Sequence, residues 1–97
     1  MAYAIADASG CALPLVDIGA NLTRVGRPAA AAQLARGAAY GVTRVVVTGC
    51  DLAGSRKAAS FAQWHAATAT ATAGAARVYC TSGIHPHDAK TAWADGA

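Results

Sequence analysis

Ninety-seven residues leave room for one small domain, and the 55% hydrophobic share is largely alanine, so the core is thin for the length. A formal charge of +3 is spread over Arg24, Arg27, Arg36, Arg44, Arg56, Lys57, Arg77 and Lys90 without a basic run; it tolerates a polyanionic partner without selecting one. No apolar span of ~18 residues is present, which excludes a membrane-crossing helix, and Cys11, Cys50 and Cys80 are too few and too far apart for a disulfide framework.

Residues 1–12 show no periodicity and read as an irregular lead-in, without the basic and apolar regions of a signal peptide. A reducing, cytoplasmic setting is expected. "LPLVDIG" is a short apolar run that predicts a buried first strand, with Pro14 tolerated at its start. "PAAAAQLARGAAYG" predicts a helix, with Pro28 near its beginning and Gly41 at its end. Leu34, Ala30, Ala31 and Ala38 form its apolar stripe, and Gln33 and Arg36 face out.

"TRVVVTG" is the clearest strand, with Val45, Val46 and Val47 consecutive and β-branched. Such a run suits a strand covered on both faces. "DLAGSRKAASFAQWHAA" predicts a second helix, capped by Asp51 or Ser55, with Ala58, Phe61 and Ala62 on one face. His65 reads as a structural or surface residue, and the two tryptophans, Trp64 and Trp93, as core or helix-packing residues. "TATATAGAA" is a low-complexity connection, "RVYCTSG" a third strand, and "AKTAW" opens a third helix that Asp88 can cap. The β-α-β-α-β order implies right-handed crossovers and a parallel sheet.

Aligned on glycine, "VDIGANL", "VVTGCDL" and "CTSGIHP" share one pattern: strand, Gly19, Gly49 or Gly83, one residue, then Asn21, Asp51 or His85. The intervals approach the ~31 residues that each unit of a ~250-residue (β/α)8 barrel occupies. In parallel α/β folds the C-terminal strand ends carry the chemistry, so Asn21, Asp51, His85 and His87 would line one rim. Three units cannot close a barrel and leave open sheet edges, which favours self-association.

"GIHPHD" concentrates polar chemistry. Pro86 disfavours helix at His85, and in an extended segment His85 and His87 point the same way. Three readings stand side by side: a polar turn, a substrate or phosphate site, and the start of a metal site. The spacing matches no zinc finger or ribbon.

"LVDIGANLT", "YGVTRVVVTGCDLAGSRKA" and "VYCTSGIHPHDAKTAW" together resemble the N-terminal third of the TatD family of metal-dependent DNases, from Leu15 to about Trp93. Residues 66–76 depart from the family pattern. The resemblance implies a (β/α)8 TIM-type barrel, here incomplete, with residues 13–97 forming its first three βα units. It also implies a hydrolase that cleaves DNA phosphodiester bonds using divalent metal, commonly Mg2+. Many members begin with Asp-x-His-x-His; here Asp17 is followed by Gly19 and Asn21 in the histidine positions, as in the "DIGxNL" branch. By carry-over His85, His87, Asn21 and Asp17 lie at the active-site rim, with His85 and His87 contacting substrate or backing the metal shell.

The family's bridging ligand is a glutamate on a later strand. This chain's five acids are all aspartate, so no metal ligand set is expected within it and the chain by itself should be inactive. The alternative is a degenerate, non-catalytic α/β module acting by partner binding or self-association. An amide- or lactone-cleaving barrel fits less well, since those enzymes rely on the first-strand histidines absent here.

Overall fold

The computed structural model describes residues 6, 8–10, 13–69 and 75–94. Most of the lead-in, Cys11, Asp95, the centre of the low-complexity stretch and the side chain of Trp93 lie outside the described residues. Among the described residues three strands and three helices alternate: β1 (Leu15–Ala20), α1 (Arg27–Ala39), β2 (Val42–Val47), α2 (Leu52–Ala69), β3 (Arg77–Cys80) and α3 (Ala89–Ala94). Short 3-10 turns at Leu22–Arg24 and Pro86–Asp88 follow the first and third strands.

The strands form one parallel sheet in the order β1-β2-β3. Right-handed crossovers, the rule for such units, put consecutive helices on the same side of a sequentially ordered sheet. The core agrees: Ala30 and Leu34 of α1 and Ala58 and Phe61 of α2 meet Val45 and Val47 of β2, with Leu22 beneath them. Val47 is fully buried. Val46, between them, is half-buried and Arg44 is exposed. The apolar run Val45–Val47 is therefore covered on one face by this chain, where the sequence predicts cover on both.

Local chemistry explains the boundaries. Gly26 precedes α1 and Pro28 occupies its first turn, where the missing N–H has no partner to lose. Tyr40 and Gly41 close the helix with N–H bonds to the carbonyls of Gly37 and Ala38, and Gly41 has φ +94°, a conformation that side chains resist. Asp51, not Ser55, caps α2: its Oδ1 accepts the Gly54 N–H at 2.6 Å. The helix runs to Ala69, past the expected boundary, because alanine favours helix; within its last turn the Thr68 hydroxyl donates back to the Trp64 carbonyl at 3.0 Å. Trp64 packs against the core and receives Arg27 over its ring at 5.2 Å.

Candidate functional site

The three strands end level. Ala20 pairs with Val47 and Val47 with Cys80, and the ladder continues as Thr48 N–H to the Ala20 carbonyl and Thr81 N–H to the Val47 carbonyl. The loops that follow share one rim, and the third crosses onto the second: the His85 N–H donates to the Cys50 carbonyl at 2.6 Å.

The three aligned glycines are not equivalent. Gly19 lies inside β1, and neither it nor Gly83 has a neighbour that a Cβ would touch. Neither has positive φ. Gly49 alone is sterically demanded, since a Cβ there would meet Ser55 Oγ at 2.5 Å and the Thr81 carbonyl oxygen at 2.6 Å. Its N–H donates to Thr81 Oγ1 at 3.1 Å.

Ser55, read from the sequence only as a possible helix cap, holds a different role. It is buried, and its hydroxyl donates to the Gly83 carbonyl (3.2 Å) and accepts the Gly83 N–H (3.1 Å). This pair ties the first turn of α2 to the segment that carries the histidines. The signal was available: Ser55, Ala58, Ala62 and His65 fall on one helical face. His65 closes that stripe, buried and stacked on Phe61, and desolvation lowers its pKa from the ordinary value.

His85 is extended (φ −65°, ψ 144°), as Pro86 requires, and Pro86–Asp88 turn immediately afterwards. The two imidazoles stand 4.7 Å apart, edge to face, and both are exposed. His85 Nδ1 accepts the His87 N–H at 3.1 Å and so caps the turn that leads into α3. Among the described residues no hydrogen bond reaches the Asp88 carboxylate. A neutral imidazole whose Nδ1 accepts must carry its proton on Nε2. His85 thus presents a donor outward, suited to an oxyanion.

Asn21 begins the first loop, level with Thr48 and Thr81, and makes no side-chain cap bond. Asp17 lies within β1, and its Oδ1 accepts the Gly19 N–H at 3.0 Å. Among the described residues neither is bonded to a histidine. Beside the rim, Asp51, Ser55, Arg56, Gly83, Ile84 and Asp88 line part of an open groove of about 640 Å³. Among the described residues no three His, Cys, Asp or Glu side chains converge as a metal ligand set. The groove sets Arg56 in the company of two carboxylates, Asp51 and Asp88, and the two histidines are not among its lining residues.

No family model, curated protein or solved structure matches the chain.

Proposed function

We propose that this chain is the N-terminal βαβαβ portion of a TatD-like metal-dependent deoxyribonuclease, with His85 and His87 on the edge of its active site. The observation that carries the reading is the common level of the strand ends, with the histidine loop bonded onto the loop after β2. Sequential parallel strands with both helices on one face suit successive units of a singly wound barrel, whose ligands bind at the C-terminal strand ends. The three sequence segments that resemble the family include this loop and the ends of β1 and β2.

In the complete enzyme the divalent metal, Mg2+ in the usual case, activates water and neutralises phosphate charge. On this reading its ligand set lies in later residues, because the family's bridging glutamate has no counterpart among this chain's five acids, all aspartate. The part of the rim residues is to bind and orient: His85 Nε2–H donates to a phosphate oxygen, the adjacent His87 flanks it, and Arg56 adds attraction for the DNA backbone. No hydrolytic step is assigned to them.

The 97-residue chain, incubated with Mg2+ and an end-labelled oligonucleotide, is expected to release no products. Reading the transcript beyond the Ala97 codon is expected to reveal a strand bearing glutamate and later His and Asp residues. In that longer product His87→Ala should slow cleavage. A transcript that stops at Ala97, or cleavage by the short chain that survives repurification, overturns the reading.

Among the described residues β1 and β3 are the two ends of the sheet order, with no strand paired to their outer sides, which favours a second reading. Edge strands recruit other strands, as expected of a non-catalytic module that acts by self-association. Sedimentation of the purified chain should then show a folded oligomer; a disordered monomer removes this alternative.

A further inference from the structure

The seam between α1 and α2 holds a small pocket that the histidine rim does not use. Thr23, Val25 and Arg27 line it from the connection after β1 and the start of α1, and Lys57, Ser60 and Phe61 line it from α2. Lys57, Ser60, Phe61 and Trp64 recur at helical spacing, so one stripe of α2 faces this connection. The pocket encloses about 180 Å³, with Val25 and Phe61 as an apolar side and two cations and two hydroxyls around the rest.

The guanidinium is already positioned. Arg27 Nη2 donates to the Ser60 hydroxyl at 3.3 Å, and the same group lies over the Trp64 ring at 5.2 Å. The Ser60 oxygen accepts that bond and keeps its own proton free to donate. The Thr23 hydroxyl and the Lys57 ammonium have no partner among the described residues. No acid lines the pocket: Asp17 lies in β1 and accepts the Gly19 N–H, and Asp51 and Asp88 line the groove beside the rim. Arg24, exposed in the same connection, adds to the positive charge.

This seam stays open to solvent in either reading of the chain. In a barrel the helices form the outer ring, and later units add beyond β3 until the ring closes beside β1. Neither joins the ring between α1 and α2. Association through the sheet edges leaves the seam open as well.

We propose that this pocket binds a phosphate group, held by Arg27, Lys57 and the hydroxyls of Thr23 and Ser60. A tetrahedral oxyanion offers acceptor oxygens in several directions, which suits donors arriving from two separate elements. A carboxylate has its two oxygens in one plane and is satisfied by a guanidinium fork alone. With Arg27 held by its contacts to α2, less side-chain freedom is lost on binding. A phosphodiester of a strand lying across the protein can supply the group, and so can free phosphate. The strand rests on the nuclease reading; the site does not.

The test is a titration of the isotopically labelled chain, without Mg2+ and at one ionic strength, followed by amide shifts. The ligands are inorganic phosphate, a short oligothymidylate and the peptide acetyl-Glu-Gly-Glu-amide. Phosphate and the oligonucleotide should give saturable shifts at Thr23, Arg27, Lys57 and Ser60, and the peptide none. Lys57→Gln, at a side chain with no partner in the fold, should weaken both about two- to fivefold, the size of an exposed ion pair. Arg27→Lys, which keeps charge without the fork, should weaken them as well. Unchanged signals from Leu34 and Val47 will show that each variant is folded. Tighter binding of the oligonucleotide makes a strand the source, and equal or tighter binding of phosphate makes it the free ion; both support the site. No shifts at the seam, equal shifts with the peptide, or an unchanged affinity in Lys57→Gln would each overturn it. A transcript that stops at Ala97 removes the nuclease reading and leaves these shifts in place.

Discussion

Replacing Gly49 by alanine tests the packing that holds the histidine segment in place. The added Cβ would sit 2.5 Å from Ser55 Oγ, 2.6 Å from the Thr81 carbonyl oxygen and 2.8 Å from Ser55 Cα. Two of these are backbone atoms, so no rotamer change relieves the contact. Either the first turn of α2 or the loop after β3 must move. Overpacking of this kind costs about 1–3 kcal/mol. The same movement stretches the Gly49–Thr81 bond and the Ser55–Gly83 pair, and a lost hydrogen bond adds about 0.5–1.5 kcal/mol. The sum is about 1.5–4.5 kcal/mol, which for a domain of this length lowers Tm by on the order of 6–36 °C. Gly19→Ala and Gly83→Ala are the controls. Nothing lies within 4 Å of a Cβ at either position, so each should stay within about 0.5 kcal/mol of the parent. Thermal melts followed by circular dichroism decide the matter. A Gly49→Ala chain that melts with the Gly83→Ala control refutes the steric reasoning.

His65 makes stability depend on pH. Burial lowers its pKa, so the folded state resists the proton that the unfolded chain accepts near pH 6.5. Its contribution is therefore intact above that value and is lost as pH falls below it; urea midpoints at pH 8 and pH 5 should converge in His65→Gln relative to the parent. Arg27→Ala removes both the contact over Trp64 and the 3.3 Å bond to the Ser60 hydroxyl, and should cost about 0.5–1 kcal/mol in urea denaturation. His85→Asn places an acceptor where Nδ1 now caps the turn, whereas His85→Ala does not. The alanine variant should be the less stable by about 0.5–1 kcal/mol, and equal stability would show that the cap bond contributes nothing.

Much of this molecule is legible in the order of its residues. The run Val45–Val47, the Ala30–Leu34 stripe and the Ala58–Phe61 face announce a strand between two amphipathic helices, because burial periodicity is written locally. Gly41 and Pro28 mark helix ends for equally local reasons. Pro86 fixes His85 as extended, but the turn over Pro86–Asp88 is what brings His87 against it. What the sequence left open, Asp51 or Ser55 as a cap, is a choice between two short polar side chains a helical turn apart.

Tertiary structure decided the rest, since it depends on residues far apart in the chain. Gly49 is sterically demanded because Ser55 of α2 and Thr81 of the loop after β3 close on it, while Gly19 and Gly83, identical in the sequence pattern, face open space. Ser55 became the anchor of the histidine segment because Gly83 is folded against it across the sheet. Arg44 and Arg77 are ordinary dispersed charges until β2 and β3 pair in register and bring them together. Local sequence sets which backbone conformations are cheap; the pairing of strands sets which side chains meet.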